Sequence, residues 1–136
     1  MWTMTPIGFF STVALKTKPG MVMVRGRERT HLEAFVERYQ QVIGIRLPAT
    51  AILDQPHSDY RWRIIIDKEE MVAVFADLLH DIEYDNFKSE CTRRQTGAAG
   101  RRYVHALHEV WSVMYGLQTP AGDLDDTLTV YGYNKR

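Results

Sequence analysis

Residues 60–66, Tyr-Arg-Trp-Arg-Ile-Ile-Ile, constrain the fold more than any other stretch. Period-two alternation puts Tyr60, Trp62, Ile64 and Ile66 on one face of a strand. Arg61, Arg63 and Ile65 take the other. A strand with one apolar face and one arginine-bearing face fits an antiparallel sheet covered by helices on one side. Asp67 and Glu70 follow at once with the spacing of a reciprocal helix N-cap, so the chain passes from strand to helix without a loop.

Two further strands precede this one. In residues 7–16, Ile7, Phe9, Val13 and Leu15 alternate with Phe10, Thr12, Ala14 and Lys16. Lys18-Pro19-Gly20 is a turn signal. Residues 21–27 form the return strand, with Val22 and Val24 on one face and Met21, Met23, Arg25 and Arg27 on the other. A short β-like stretch lies around Ala51-Ile52-Leu53. Thr30 and Glu33 have capping-box spacing, and Leu32, Phe35, Val36, Tyr39, Val42 and Ile43 make one helical stripe ending at Gly44. Met71, Val74, Phe75, Leu78 and Ile82 make a second stripe. Residues 84–95 read as a short helix broken by Gly97 and Gly100, and a last helix runs over 101–118. The order β-β-α-β-β-α-α-α predicts an α+β fold. The expected form is an antiparallel sheet of about four strands with helices packed on one face, a variant of the ferredoxin-like arrangement. Residues 1–118 are expected to form one domain, and 119–136 an extension that begins acidic (Asp123, Asp125, Asp126) and carries a β-like Leu128-Thr129-Val130-Tyr131.

Composition narrows the function classes. With 17 basic and 17 acidic residues among 136, the formal charge is zero. Neutrality argues against strong non-specific DNA binding and against an acidic nucleic-acid mimic. The balance is uneven along the chain, with nine Lys/Arg against five Asp/Glu in residues 1–66 and eight against twelve after that. A single cysteine excludes a disulfide scaffold, and no apolar run reaches the ~18 residues that would span a bilayer. With no basic n-region or signal-like apolar core at the N-terminus, a reducing cytoplasm is the expected compartment.

Several stretches resemble a family of small bacterial and phage proteins of unknown function. They are Thr5-Pro6-Ile7-Gly8-Phe9-Phe10-Ser11, Val24-Arg25-Gly26-Arg27, Asp59-Tyr60-Arg61-Trp62-Arg63, residues 82–89 and residues 103–118. The resemblance covers nearly all of the chain as far as residue 118 and implies a single domain. It supplies no activity, cofactor or catalytic residue.

Catalytic patterns are sparse. Cys91 has Arg93 and Arg94 nearby, but no histidine is fixed beside it, so it reads as a buried or incidental cysteine. His105 and His108 stand three apart on a helix and offer two metal ligands at most, with no third at suitable spacing. They and His80 read as surface histidines, while Glu109 beside the pair leaves open an acid–base site on the last helix. Gly97 to Arg102 has the composition of an anion-holding helix start. Phosphate-loop, dinucleotide-binding and zinc-knuckle patterns are missing. No cofactor or metal is implied.

Strand parity points to one surface. If the apolar sets face the helices, Phe10, Met21, Met23, Arg25, Arg27, Arg61 and Arg63 share the opposite face of the sheet. Arginines with methionines are typical of protein interfaces. The first expectation is therefore a non-enzymatic module that binds protein through this face, by self-association or to a bacterial or phage partner. On an open sheet, arginines with an aromatic ring also fit RNA, single-stranded nucleic acid or another phosphate ligand, with Phe10 as the stacking ring. That is the alternative reading. The site on the last helix is the third, and a membrane partner is not expected.

Overall fold

The computed structural model describes residues 1–118; the expected C-terminal extension lies outside the described residues. The fold is an α+β arrangement built on a five-stranded antiparallel sheet. The strands are β1 (Trp2–Thr5), β2 (Gly8–Ala14), β3 (Met21–Gly26), β4 (Leu53–Asp54) and β5 (Trp62–Asp67), in spatial order β1-β2-β3-β5-β4. β1 was not visible in the sequence pattern because it is only four residues long and ends at the tight turn Pro6-Ile7. That turn is clamped by Thr5, whose Oγ1 donates to the Gly8 carbonyl at 2.8 Å and accepts from the Gly8 N–H at 3.1 Å. Gly20 closes the β2–β3 hairpin at φ 83°, a conformation that suits glycine.

Helix α1 (Arg29–Ile43) starts one residue earlier than Thr30 suggested. Glu28 occupies the N-cap without a side-chain bond, and Glu33 is taken by Arg29 Nε at 2.8 Å, so the Thr30–Glu33 box does not form. Gly44 ends the helix at φ 78°, as its sequence position predicts. Helix α2 (Lys68–His80) is capped by the Asp67 carboxylate, which accepts from the Glu69 N–H at 2.8 Å. Glu70 turns away from the cap and receives the Tyr39 hydroxyl at 2.7 Å. Helix α3 (Phe87–Arg94) is capped by Asn86. Helix α4 (Gly97–Tyr115) takes in the two glycines expected to precede it, then closes in a 3-10 turn at Gly116–Gln118. Gly97 reverses the chain at φ 67°. At Gly100 a Cβ would lie 2.7 Å from the Gln95 carbonyl carbon, so this glycine permits a close crossing and does not break the helix.

The main core lies between one face of the sheet, here the near face, and helices α1 and α2. Phe10, Val22, Val24, Ile64 and Ile66 meet Leu32, Phe35, Tyr39, Met71, Val74 and Leu78. Each such side chain contributes roughly 1.5–3 kcal/mol on burial. The expectation that all helices cover one face is corrected for α3 and α4. They pack around the β1–β2 turn, where Cys91, Tyr103 and Leu107 form a second cluster with Phe9 from the opposite, far face. Among the described residues, no helix is long and apolar enough to cross a membrane.

Candidate functional site

Strand register decides what the far face carries. Trp2, Ser11, Arg25, Arg63 and Leu53 form one cross-strand row. Val13, Met23 and Ile65 form the next, Met21 pairs with Asp67, and Met4 pairs with Phe9. Met21, Met23, Arg25 and Arg63 therefore share this face, with Arg27 just beyond the end of β3.

Two of the expected site residues are elsewhere. Phe10 is 0% exposed on the near face and packs edge-on against Phe35, so it offers no stacking ring. Both Phe9 and Phe10 are apolar, and local alternation cannot choose between them. The hairpin chooses by setting Ser11 opposite Arg25, whose Nη2 donates to the Ser11 hydroxyl at 2.8 Å. Arg61 precedes β5 and leaves the far face altogether. It grips both oxygens of Asp54 at 2.8 and 3.0 Å and covers the Trp62 ring.

Tyr60 was assigned to the apolar face with Trp62, and this too is corrected. Because β5 begins only at Trp62, alternation does not extend back to residue 60. The Tyr60 ring lies 6.4 Å from Phe9 and receives two guanidinium groups, Arg25 at 4.6 Å and Arg27 at 5.0 Å. Arg63 is held by the Ser58 hydroxyl at 2.6 Å and the Tyr60 carbonyl at 2.8 Å. Two arginines thus cover the ring of Tyr60, which is 3% exposed, and a third, Arg63, binds its backbone carbonyl.

Most arginines elsewhere are paired with carboxylates, while Arg46 and Arg101 are exposed without one among the described residues. Arg38 bridges Asp77 and Asp81, Arg94 bridges Asp81 and Glu90, Arg93 also holds Glu90, and Arg102 meets Glu28 at 2.9 Å. The Arg93 and Arg94 hydrogen bonds pull the Glu90 carboxyl down to about 2. Arg102 is thereby committed to Glu28 and does not crown an anion site at the start of α4. Among the described residues, Arg25, Arg27 and Arg63 have no carboxylate within 4.0 Å.

A cleft of about 390 Å³ opens beside this cluster. Trp2, Met4 and Phe9 line its sheet side, and Ala106, Leu107 and Val110 line its α4 side. His31 forms part of the wall. Its Nδ1 accepts from the Phe9 N–H at 3.4 Å, Nε2 is buried without a partner, and burial lowers its pKa. Past Leu107 the helix leaves the body of the protein. Every residue from 108 to 118 is exposed, including Trp111, Met114 at 57% and Leu117 at 76%. Trp111 stacks on Tyr115 at 5.3 Å and receives Lys88 at 4.4 Å.

The catalytic candidates fare differently. His105, His108 and Glu109 are exposed on α4, and His80 is exposed at the end of α2. Among the described residues, no three His, Cys, Asp or Glu side chains gather as metal ligands. Cys91 is fully buried, donates weakly to the Thr5 carbonyl at 3.9 Å, and is pushed up to about 11 by burial, which keeps it a thiol.

Sequence reasoning missed Tyr60, Ser11, Ser58, Trp2 and the free end of α4. Ser11 carried a usable signal as the lone polar residue in an apolar alternation. Compared with known proteins, the chain matches no family model, no curated protein and no solved structure.

Proposed function

We propose that the chain is a non-enzymatic interaction module that self-associates through the far face of its sheet and the free end of α4, in a reducing cytoplasm. The observation that carries this reading is the exposure of residues 108–118, six of which are large apolar side chains. Beyond Val110 at the cleft and Lys88 over Trp111, these three turns have little tertiary packing, so an apolar helix end of this length gains from a surface that covers it. The same chain offers such a surface. Trp2 is 69% exposed, and Met4, Val13, Leu53 and Ile65 are open on the far face. Together with the helix end they present roughly 1,000 Å² per copy, about what each partner contributes to a standard interface.

A second copy is favoured over an unrelated partner because helix end and sheet face occur on one chain. A two-fold contact lets each copy place its helix end on the other's sheet, satisfying both patches at once. Zero net charge leaves no long-range repulsion between copies.

Light scattering of the full chain at ~10–100 µM tests the reading, together with Met114→Asp and Leu117→Asp. These side chains are exposed, so the fold survives their replacement. The expected result is a dimer in the parent and a monomer in both variants, with circular dichroism that loses no more than the helical signal of residues 108–118. A monomeric parent overturns self-association. So does a dimer that both substitutions leave intact.

A further inference from the structure

We infer that Arg25, Arg27 and Arg63, gathered around Tyr60, form a binding site for an oxyanion, with a phosphate group as the ligand they fit best. Arg25 and Arg63 stand directly opposite each other on β3 and β5. Like charges in that position repel and destabilise a sheet unless a counter-charge joins them. Both are half-buried, and the Nε atom of each is shielded from solvent without a hydrogen-bond partner. Exposed arginines such as Arg46 and Arg101 have water to neutralise them; these two do not have it in full. The Tyr60 hydroxyl is likewise buried and unpartnered. The nearest acidic group in this network, Asp59, stands one hydroxyl away, accepting from Ser58 at 3.3 Å.

The cluster is also pre-organised. Ser11 fixes Arg25 at 2.8 Å, while Ser58 and the Tyr60 carbonyl fix Arg63. Guanidinium groups held in place lose little freedom when an anion arrives. Both Nε atoms are shielded and Arg63 Nη2 is taken by Ser58 and Tyr60, so the outer Nη1 atoms and the exposed Arg27 fork are the donors left for its oxygens. Arginines, not a base or sugar, cover the Tyr60 ring, so the site reads charge and does not stack a nucleobase. A compact, multiply charged oxyanion suits three cations better than a polymer does. The same oxygen chemistry is available from the carboxylates of Asp123, Asp125 and Asp126 in this chain.

The test is calorimetric titration of the full chain with inorganic phosphate and with pyrophosphate, at low salt and with added sodium chloride. One site per chain is expected, weakening as salt rises. Arg63→Gln and Arg27→Gln are expected to weaken it by about tenfold or more each; Arg27 is exposed, so its replacement leaves the fold intact. Arg101→Gln, remote from the cluster, leaves binding unchanged. If the parent is silent but the Asp123→Asn/Asp125→Asn/Asp126→Asn variant binds phosphate, the site stands as an oxyanion site filled by the chain's own carboxylates. Silence in both proteins overturns the inference, as does binding that neither Arg27→Gln nor Arg63→Gln weakens. Repeating the titration on Leu117→Asp separates this result from the fate of self-association.

Discussion

The two faces of the sheet solve different problems with the same strands. The near face is filled with Phe10, Val22, Val24, Ile64 and Ile66 under two helices, and its stability comes from apolar area removed from water. The far face carries half-buried arginines, two methionines and open apolar side chains, with α4 touching it only at one end. Among the described residues, Arg25, Arg27 and Arg63 have no carboxylate partner and its apolar groups are exposed, so it spends stability that the near face supplies.

The largest effect that tests this contrast comes from the adjacent phenylalanines. Phe10→Ala is expected to cost about 3–5 kcal/mol in urea unfolding, because it empties the space beneath Phe35. Phe9→Ala is expected to cost about half of that or less, since Phe9 is only partly buried against the smaller cluster. Equal losses would mean that the two faces are equally stabilising, and the contrast would fail.

Next comes the contact that joins the turn to α1. A Cβ at Gly8 would lie 2.5 Å from His31 Cγ. Gly8→Ala is expected to cost about 1–3 kcal/mol through overpacking, measured as a shift in the urea midpoint.

A smaller effect appears on acidification. Arg93 and Arg94 hold the Glu90 carboxyl at about 2, below the usual carboxylate range. The unfolded chain therefore takes up this proton first, and stability is full above about pH 5 and is lost as pH falls toward 2. Glu90→Gln should flatten this part of the stability profile while leaving Arg25, Arg27 and Arg63 in place. An unchanged profile would show that the pair does not couple to folding.

The smallest expected effect is the most telling. Arg63→Met removes a half-buried cation that has no carboxylate partner among the described residues, and is expected to change stability by less than about 0.5 kcal/mol, or to raise it. A large loss would make Arg63 a structural residue of the sheet and would sharpen the far face into a second core.

The sequence made the near face legible and left the far face half-written. Alternation in 21–27 and 62–66 was strong because one side of each strand is almost purely aliphatic. Gly44 and Asp67 marked helix ends through backbone needs that do not depend on tertiary context. Parity failed in β2, where Phe9 and Phe10 both find apolar surroundings on opposite sides. It failed again at Tyr60 and Arg61, which lie outside the strand that their spacing implied. Arg25, Arg27 and Arg63 were readable as a set; that Arg61 would bind Asp54, seven residues earlier in the chain, was not. The exposure of the α4 end was unreadable in principle, because its apolar spacing is that of any buried helix.

Three side chains of the α3–α4 unit reach the same two backbone carbonyls. Tyr103 donates to Thr5 at 2.9 Å, Gln95 donates to Pro6 at 2.9 Å, and the Cys91 thiol also addresses Thr5. The helical pair is thus latched to one hairpin bend, with Arg94–Asp81, Arg102–Glu28 and the Tyr103–His31 ring contact as its ties to the helices beyond. Opening the latch together with these ties frees both helices while the core under α1 and α2 stays closed. Amide hydrogens of Phe87–Arg94 and Gly97–Tyr115 should then exchange as one cooperative group, ahead of those in β3 and β5.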